Sequence, residues 1–134
     1  TDVIKDLYEG ENQNRPLARK SISILNTAEE DFMILLMAYT EKIWSQNSIS
    51  VRDFEKNLGY SKSQLYRKMM NLVGKSPNMF LRDYRLTKAL ELMKKQNRNV
   101  SEIAYQTGFS SPAYFSKCFQ KKYGILPSNF TSNK

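Results

Sequence analysis

The sequence predicts an all-α fold of two helix-turn-helix subdomains joined by a long linking helix. Three observations carry that expectation. Gly and Pro number only 5 and 4 in 134 residues, which favours helices over a turn-rich β fold. Apolar residues recur at helical spacing along the chain. Residues 51–80 and 100–130 match each other, as two copies of one supersecondary unit would.

Residues 1–26 read as a linker or flexible N-terminal segment. Glu9–Arg15 is polar and loop-like. Val3, Ile4 and Leu7 suit either a short helical turn or an unordered chain end. The chain begins at Thr1 rather than Met, which fits a fragment of a longer protein. A first helix is expected from about Thr27, where Thr27, Glu29, Glu30 and Asp31 supply a cap and negative charge for its positive end. Phe32, Leu35, Leu36, Tyr39 and Ile43 follow at helical spacing, and Met33, Ile34 and Met37 widen the arc. A well-buried helix is the preferred reading; a docking face for residues 1–26 or for a partner is the alternative.

Four short helices and one long one should follow. Ser50 caps Val51–Leu58, which Gly59 breaks; Ser61 caps the helix 62–73, which ends at Gly74. Ser76-Pro77 opens the linking helix, 77–95, with proline at the position where its missing N–H is harmless. At 1.5 Å per residue this helix is roughly 27–29 Å long. Asn99 and Glu102 stand at capping-box spacing before 100–107, which Gly108 ends. Ser110 or Ser111 caps the helix 111–123, which stops at Gly124, and Pro127 starts a last turn through Phe130. The domain then spans 27–130, with helix-turn-helix units at about 50–74 and 99–124.

The internal match is detailed. Val51, Gly59, Tyr60 and Ser61 align with Val100, Gly108, Phe109 and Ser110. After one extra residue near Pro112, Leu65, Arg67, Met69, Val73, Gly74, Pro77 and Phe80 align with Phe115, Lys117, Phe119, Tyr123, Gly124, Pro127 and Phe130. Each copy reads helix, glycine turn, aromatic, serine cap, helix.

Helical geometry separates two faces in the second helix of each copy. Leu65, Met69 and Leu72 should be buried, leaving Ser63, Arg67 and Met70 outward, flanked by Tyr66 and Gln64. In the second copy Phe115, Phe119 and Tyr123 should be buried, leaving Ala113, Lys117 and Gln120 outward, flanked by Ser116. Arg67 can bond both acceptors of a guanine edge, and Lys117 holds the matching place. Ser63 and Ala113 permit close approach, and Tyr66 serves either base contact or packing at the helix flank. Lys62, Lys68, Lys121 and Lys122 lie around these faces, placed for phosphates or simply solvated. Ser61, Ser110 and Ser111 offer hydroxyls and N–H groups to phosphate as well as caps.

Charge agrees. The net charge is +8, but residues 1–48 carry five basic against eight acidic groups, and residues 49–134 carry sixteen against five. A basic segment suits a polyanion. The lack of His and the single Cys118 leave no disulfide framework, usual zinc site or histidine triad. No enzyme, cofactor or metal reading follows. A reducing compartment, the cytoplasm, fits best. The longest apolar run, Phe32 to Tyr39, is far short of the ~20 residues that span a bilayer. RNA fits less well than duplex DNA, because the aromatics fall on buried faces. The alternative class is a helical protein-interaction module with a basic face.

The stretch IAYQTGFSSPAYFSKCFQKKYGILPSNF at 103–130 resembles the signature of the AraC/XylS transcription regulators, and RLTKALELM at 85–93 resembles their linking helix. The likeness covers about residues 30–130. It implies sequence-specific binding of double-stranded DNA by two recognition helices in successive major grooves. It puts base-reading positions at Ser63, Tyr66, Arg67, Ala113, Ser116 and Lys117. RNA polymerase is an implied further partner, and oligomeric state would be set by parts outside this segment. Two departures stand out: Phe130-Thr131 replaces the usual closing Tyr-Arg, and Ala113 stands where some members place a polar base reader. SKSQLYRKMMNLVGKSPNMFLRDYRL also resembles output domains of hybrid two-component regulators, in which residues 1–26 would lead from a receiver domain.

Overall fold

The computed structural model describes residues 27–95 and 99–132. The expectations for residues 1–26 lie outside them. The chain runs through α1 (Thr27–Ile43), α2 (Val51–Leu58), α3 (Lys62–Leu72), α4 (Pro77–Lys95), α5 (Val100–Gln106), α6 (Pro112–Tyr123) and α7 (Pro127–Ser132). The fold is all-α, with no strand among the described residues. It divides into two compact units; within the described residues, one comprises 27–42 and 50–78 and the other 43–49 and 79–132.

In the first unit, α1 buries Phe32, Met33, Leu36 and Met37, with Thr40 turned inward and donating to the Leu36 carbonyl at 2.7 Å. The helix is narrower in its burial than its composition suggests. Ile34 is 61% and Leu35 51% exposed, so two of the apolar residues expected inside lie on the outer surface. The reason is angular: one helix side can cover only part of an arc that wide. Phe32 meets Tyr60 edge-on at 5.4 Å, and Tyr39 meets Phe54 at 5.0 Å. These contacts tie α1 to the turn aromatic and to α2. Phe54, Leu58, Leu65 and Met69 are buried.

The start of α2 depends on a carboxylate. Asp53 Oδ2 accepts from the Ser50 backbone N–H at 2.8 Å and from Ser50 Oγ at 3.1 Å. These bonds hold the Asp53 carboxyl below its ordinary value.

The second unit is an aromatic core wrapped on α4. Leu86, Ala89 and Met93 of α4 pack with Ile103, Ala104, Phe109, Phe115 and Phe119, and Val100, Tyr123 and Phe130 close the edges. Phe109, Phe115, Phe119 and Tyr123 form a run of rings with centroid separations of 5.1, 5.7 and 4.7 Å. The segment after α1 also belongs here. Arg85 Nε donates to the Trp44 carbonyl at 2.8 Å and a second guanidinium N–H donates to the Gln46 carbonyl. Burial lowers the Arg85 guanidinium pKa from its ordinary value. Lys88 lies over the Trp44 ring at 5.4 Å and the Tyr84 ring at 5.6 Å.

The helix bounds follow the expected ones closely, with a shift at four ends: α3 ends at Leu72 with Val73 as its cap, α5 ends at Gln106, α6 starts at Pro112, and α7 continues to Ser132. One detail of the repeat changes. The cap of α6 is Ser111, whose side chain accepts from the Tyr114 N–H, and Ser110 precedes it. The extra residue of the second copy therefore lengthens the turn, and Ser61 corresponds to Ser111.

The two turn glycines are glycine for different reasons. Gly59 has φ 77° with open space where a Cβ would stand, whereas at Gly108, φ 89°, a Cβ would lie 2.6 Å from the Trp44 carbonyl oxygen and 2.7 Å from Arg85 Nε. Gly59→Ala is expected to cost about 1–2 kcal/mol, the left-handed strain alone. Gly108→Ala adds a collision with backbone and is expected to exceed ~3 kcal/mol; urea midpoints of the two variants check the order. A second prediction concerns Asp53. Its depressed value means that the Ser50 bonds stabilise the fold above the unfolded carboxyl pKa of 3.8 and that this is lost as pH falls through the lower folded value. Asp53→Ala should melt below the wild type at pH 7, and the gap should narrow as pH falls below the unfolded carboxyl value of 3.8.

Candidate nucleic-acid interface

Each unit presents one capped, anchored helix. In the first, Ser61 Oγ accepts from the Gln64 N–H at 3.3 Å, and Gln64 Oε1 accepts from the Ser61 N–H at 3.1 Å. This reciprocal capping box satisfies two N-terminal N–H groups of α3. Gln64, read from the sequence as a flanking side chain, is thus engaged with the cap. Leu65 and Met69 are fully buried, and Leu72 is half-buried. Two anchors four residues apart fix the rotation of α3 about its axis. Ser63, Tyr66, Arg67 and Met70 consequently face solvent, as does Lys62.

Lys68 departs from its expected surroundings. Its ammonium sits over the rings of Phe32 and Tyr60, 5.6 and 5.4 Å from their centroids, and the residue is half-buried. It covers an aromatic seam with its stem and charge, so it is more than a solvated lysine. An open cleft lined by Tyr60, Gln64, Arg67, Lys68 and Asn71 lies on this side of α3.

In the second unit, Phe115 and Phe119 are the fully buried anchors of α6, and Tyr123 is half-buried. Ala113, Lys117, Gln120 and Lys121 are exposed, Ser116 is half-buried, and Ser110 is exposed ahead of the Ser111 cap. Lys122 lies over the Tyr123 ring at 5.8 Å. The sequence reading missed the ties between α4 and the neighbouring turn and helix. Arg82 of α4 hydrogen-bonds Tyr114 at the start of α6, a contact that raises the guanidinium value. Arg85 holds the loop that crowds Gly108. The pair at spacing i, i+3 on the linking helix was the available signal, but spacing does not tell which neighbour an arginine reaches.

Among the described residues no group of three or more Cys, Asp or Glu is disposed to hold a metal ion. No described helix is long and apolar enough to cross a membrane.

A family model described as a helix-turn-helix domain matches residues 55–133. The chain is 34% identical over 106 residues to histidine kinase P4 of Formosa agariphila, which covers 79% of this chain and 8% of that protein. It is 33% identical over 92 residues to the uncharacterised HTH-type transcriptional regulator YdeC of Bacillus subtilis, covering 69% of this chain and 30% of that one. The chain thus spans a third or less of the length of these two relatives. The C-terminal domain of AraT, a response regulator from Geobacillus stearothermophilus, superposes with a TM-score of 0.71 at 25% identity, covering 83% of this chain and 88% of that one. The capped and anchored helix pair, repeated once, and the family match from within α2 through α7 lead to one assignment: the chain belongs to the AraC-type helix-turn-helix family, whose domains bind specific DNA sequences to regulate transcription.

Proposed function

We propose that α3 and α6 enter successive major grooves of one duplex, with Ser63, Tyr66 and Arg67 reading bases from the first helix and Ala113, Ser116 and Lys117 from the second. The observation that carries this reading is the pair of buried anchors in each helix, Leu65 with Met69 and Phe115 with Phe119, which leave Ser63, Arg67, Ala113 and Lys117 on the opposite face and Tyr66 and Ser116 on its flank. The 19 residues of α4 give a rise of ~28 Å, near the ~34 Å of one duplex turn. Ser61, Lys62, Lys68, Ser110, Ser111 and Lys121 are assigned to phosphates. Lys68 would reach one from the cleft while its other side rests on the rings. Arg67 and Lys117 differ in what they can read: the planar guanidinium matches the paired acceptors of guanine, and the ammonium acts as a point charge.

In this reading residues 27–130 act as one DNA-binding domain and residues 1–26 as its linker. The histidine-kinase relative and the response-regulator neighbour support a place at the output end of a two-component regulator in the cytoplasm. RNA polymerase is then a natural second partner, and oligomeric state is set elsewhere in the full-length protein.

Anisotropy titrations at several salt concentrations test the assignment. Each neutralised phosphate adds about −0.9 to the slope of log K against log salt, so six to ten contacts give roughly −5 to −9. A slope near zero would point to a protein partner instead. Arg67→Ala should cost about 1–3 kcal/mol on the cognate site, relax preference at one base pair and leave the melting temperature unchanged. Equal weakening on all sequences would remove Arg67 from base reading. Lys68→Ala should weaken cognate and random DNA alike and reduce the slope by about one unit. It should also cost about 0.5–1 kcal/mol of stability, because the Phe32 and Tyr60 rings lose their cation.

A further inference from the structure

The outward face of α3 carries an apolar patch that attraction to phosphate does not explain. Tyr66 is 51% and Met70 40% exposed. They stand one turn apart, so their side chains are neighbours on the helix surface. Ser63, Tyr66, Arg67 and Met70 fall at i, i+3, i+4 and i+7. This is the spacing with which the groove helix of another helix-turn-helix variant contacts base edges. The matching positions of α6 are Ala113, Ser116, Lys117 and Gln120. The fourth position therefore differs in kind between the units, a thioether in one and a carboxamide in the other.

Base edges in the major groove offer one apolar feature, the C5-methyl group of thymine. Methionine is unbranched and polarisable, and fits irregular apolar surfaces. Its place one turn beyond Tyr66 and three residues beyond Arg67 puts it along the same groove floor those residues would follow. A phosphate-facing role is excluded by its chemistry, since a thioether is a weak acceptor and no donor.

We propose that Met70, flanked by Tyr66, packs on a thymine methyl group, so that the half-site met by α3 depends on thymine while the half-site met by α6 does not depend on it through the matching residue. This rests on the reading that α3 lies in a major groove. Gln120, at the matching place, offers a donor and an acceptor and no apolar end.

The test uses the 134-residue chain and a duplex that it selects from a random-sequence pool. That duplex is remade with deoxyuridine in place of thymidine at one position at a time, which removes only the methyl group. At one or two positions within the half-site met by α3, affinity should fall about fourfold, the worth of one buried methyl. Met70→Gln should lose that discrimination and Met70→Leu should keep it, both with unchanged melting temperature because Met70 lies on the surface. If every deoxyuridine duplex binds like its parent, or if Met70→Gln still discriminates, the proposal is overturned while base reading stands. If the pool yields no enriched sequence, the groove reading itself fails, and the proposal with it.

Discussion

Rotation about a helix axis is the constraint on which this architecture depends. A helix can dock at the right place and still present the wrong face, and a change of one residue turns it by about 100°. Leu65 and Met69, like Phe115 and Phe119, are fully buried and one turn apart. Each pair holds its helix at two points along one line, which removes the rotational freedom. The polar faces of α3 and α6 are thereby set by apolar contacts that never meet DNA. Truncating one of these anchors to alanine removes both packing and aim, at the ~2–5 kcal/mol usual for such core deletions.

The two units meet that constraint with different materials. The first uses methionines and aliphatics, with two ring contacts that link α1 to its neighbours. The second stacks Phe109, Phe115, Phe119 and Tyr123 into a continuous run of rings. Aromatic pairs have preferred geometries, whereas methionine fills gaps with little orientational demand. The second unit is also stapled by Arg85 to the carbonyls of Trp44 and Gln46, and by Arg82 to Tyr114.

The repeat made most of this fold readable from the amino-acid order. Glycine, serine and proline punctuate each copy, and the anchors recur at spacings that only a helix satisfies. Legibility failed where the answer depends on what a residue meets far along the chain. Nothing local separates Ile34 and Leu35, which are exposed, from Met33 and Leu36, which are buried. Nothing local puts Lys68 over two rings, one of them on α1. The two copies align equally well with the cap at Ser110 or Ser111, and only the hydrogen bond to Tyr114 decides it. Of the interface, the outward faces follow from helical periodicity, whereas the arginines of α4 do not, because their partners lie outside their own helix.

The Arg85 staple separates the response of the scaffold to salt from that of its ligand contacts. Its guanidinium donates to two neutral backbone carbonyls, those of Trp44 and Gln46. Mobile ions screen attraction between separated charges over a Debye length of ~8–10 Å, and weaken a direct hydrogen bond to a neutral carbonyl less. No proton leaves a guanidinium in the physiological range either, even one lowered by burial. The support beneath the second unit's turn is thus less sensitive to ionic strength than the attraction of the exposed lysines of α6, Lys117 and Lys121, for a polyanion. A protein built this way can let go of a polyanion as salt rises without loosening the turn that orients its grip.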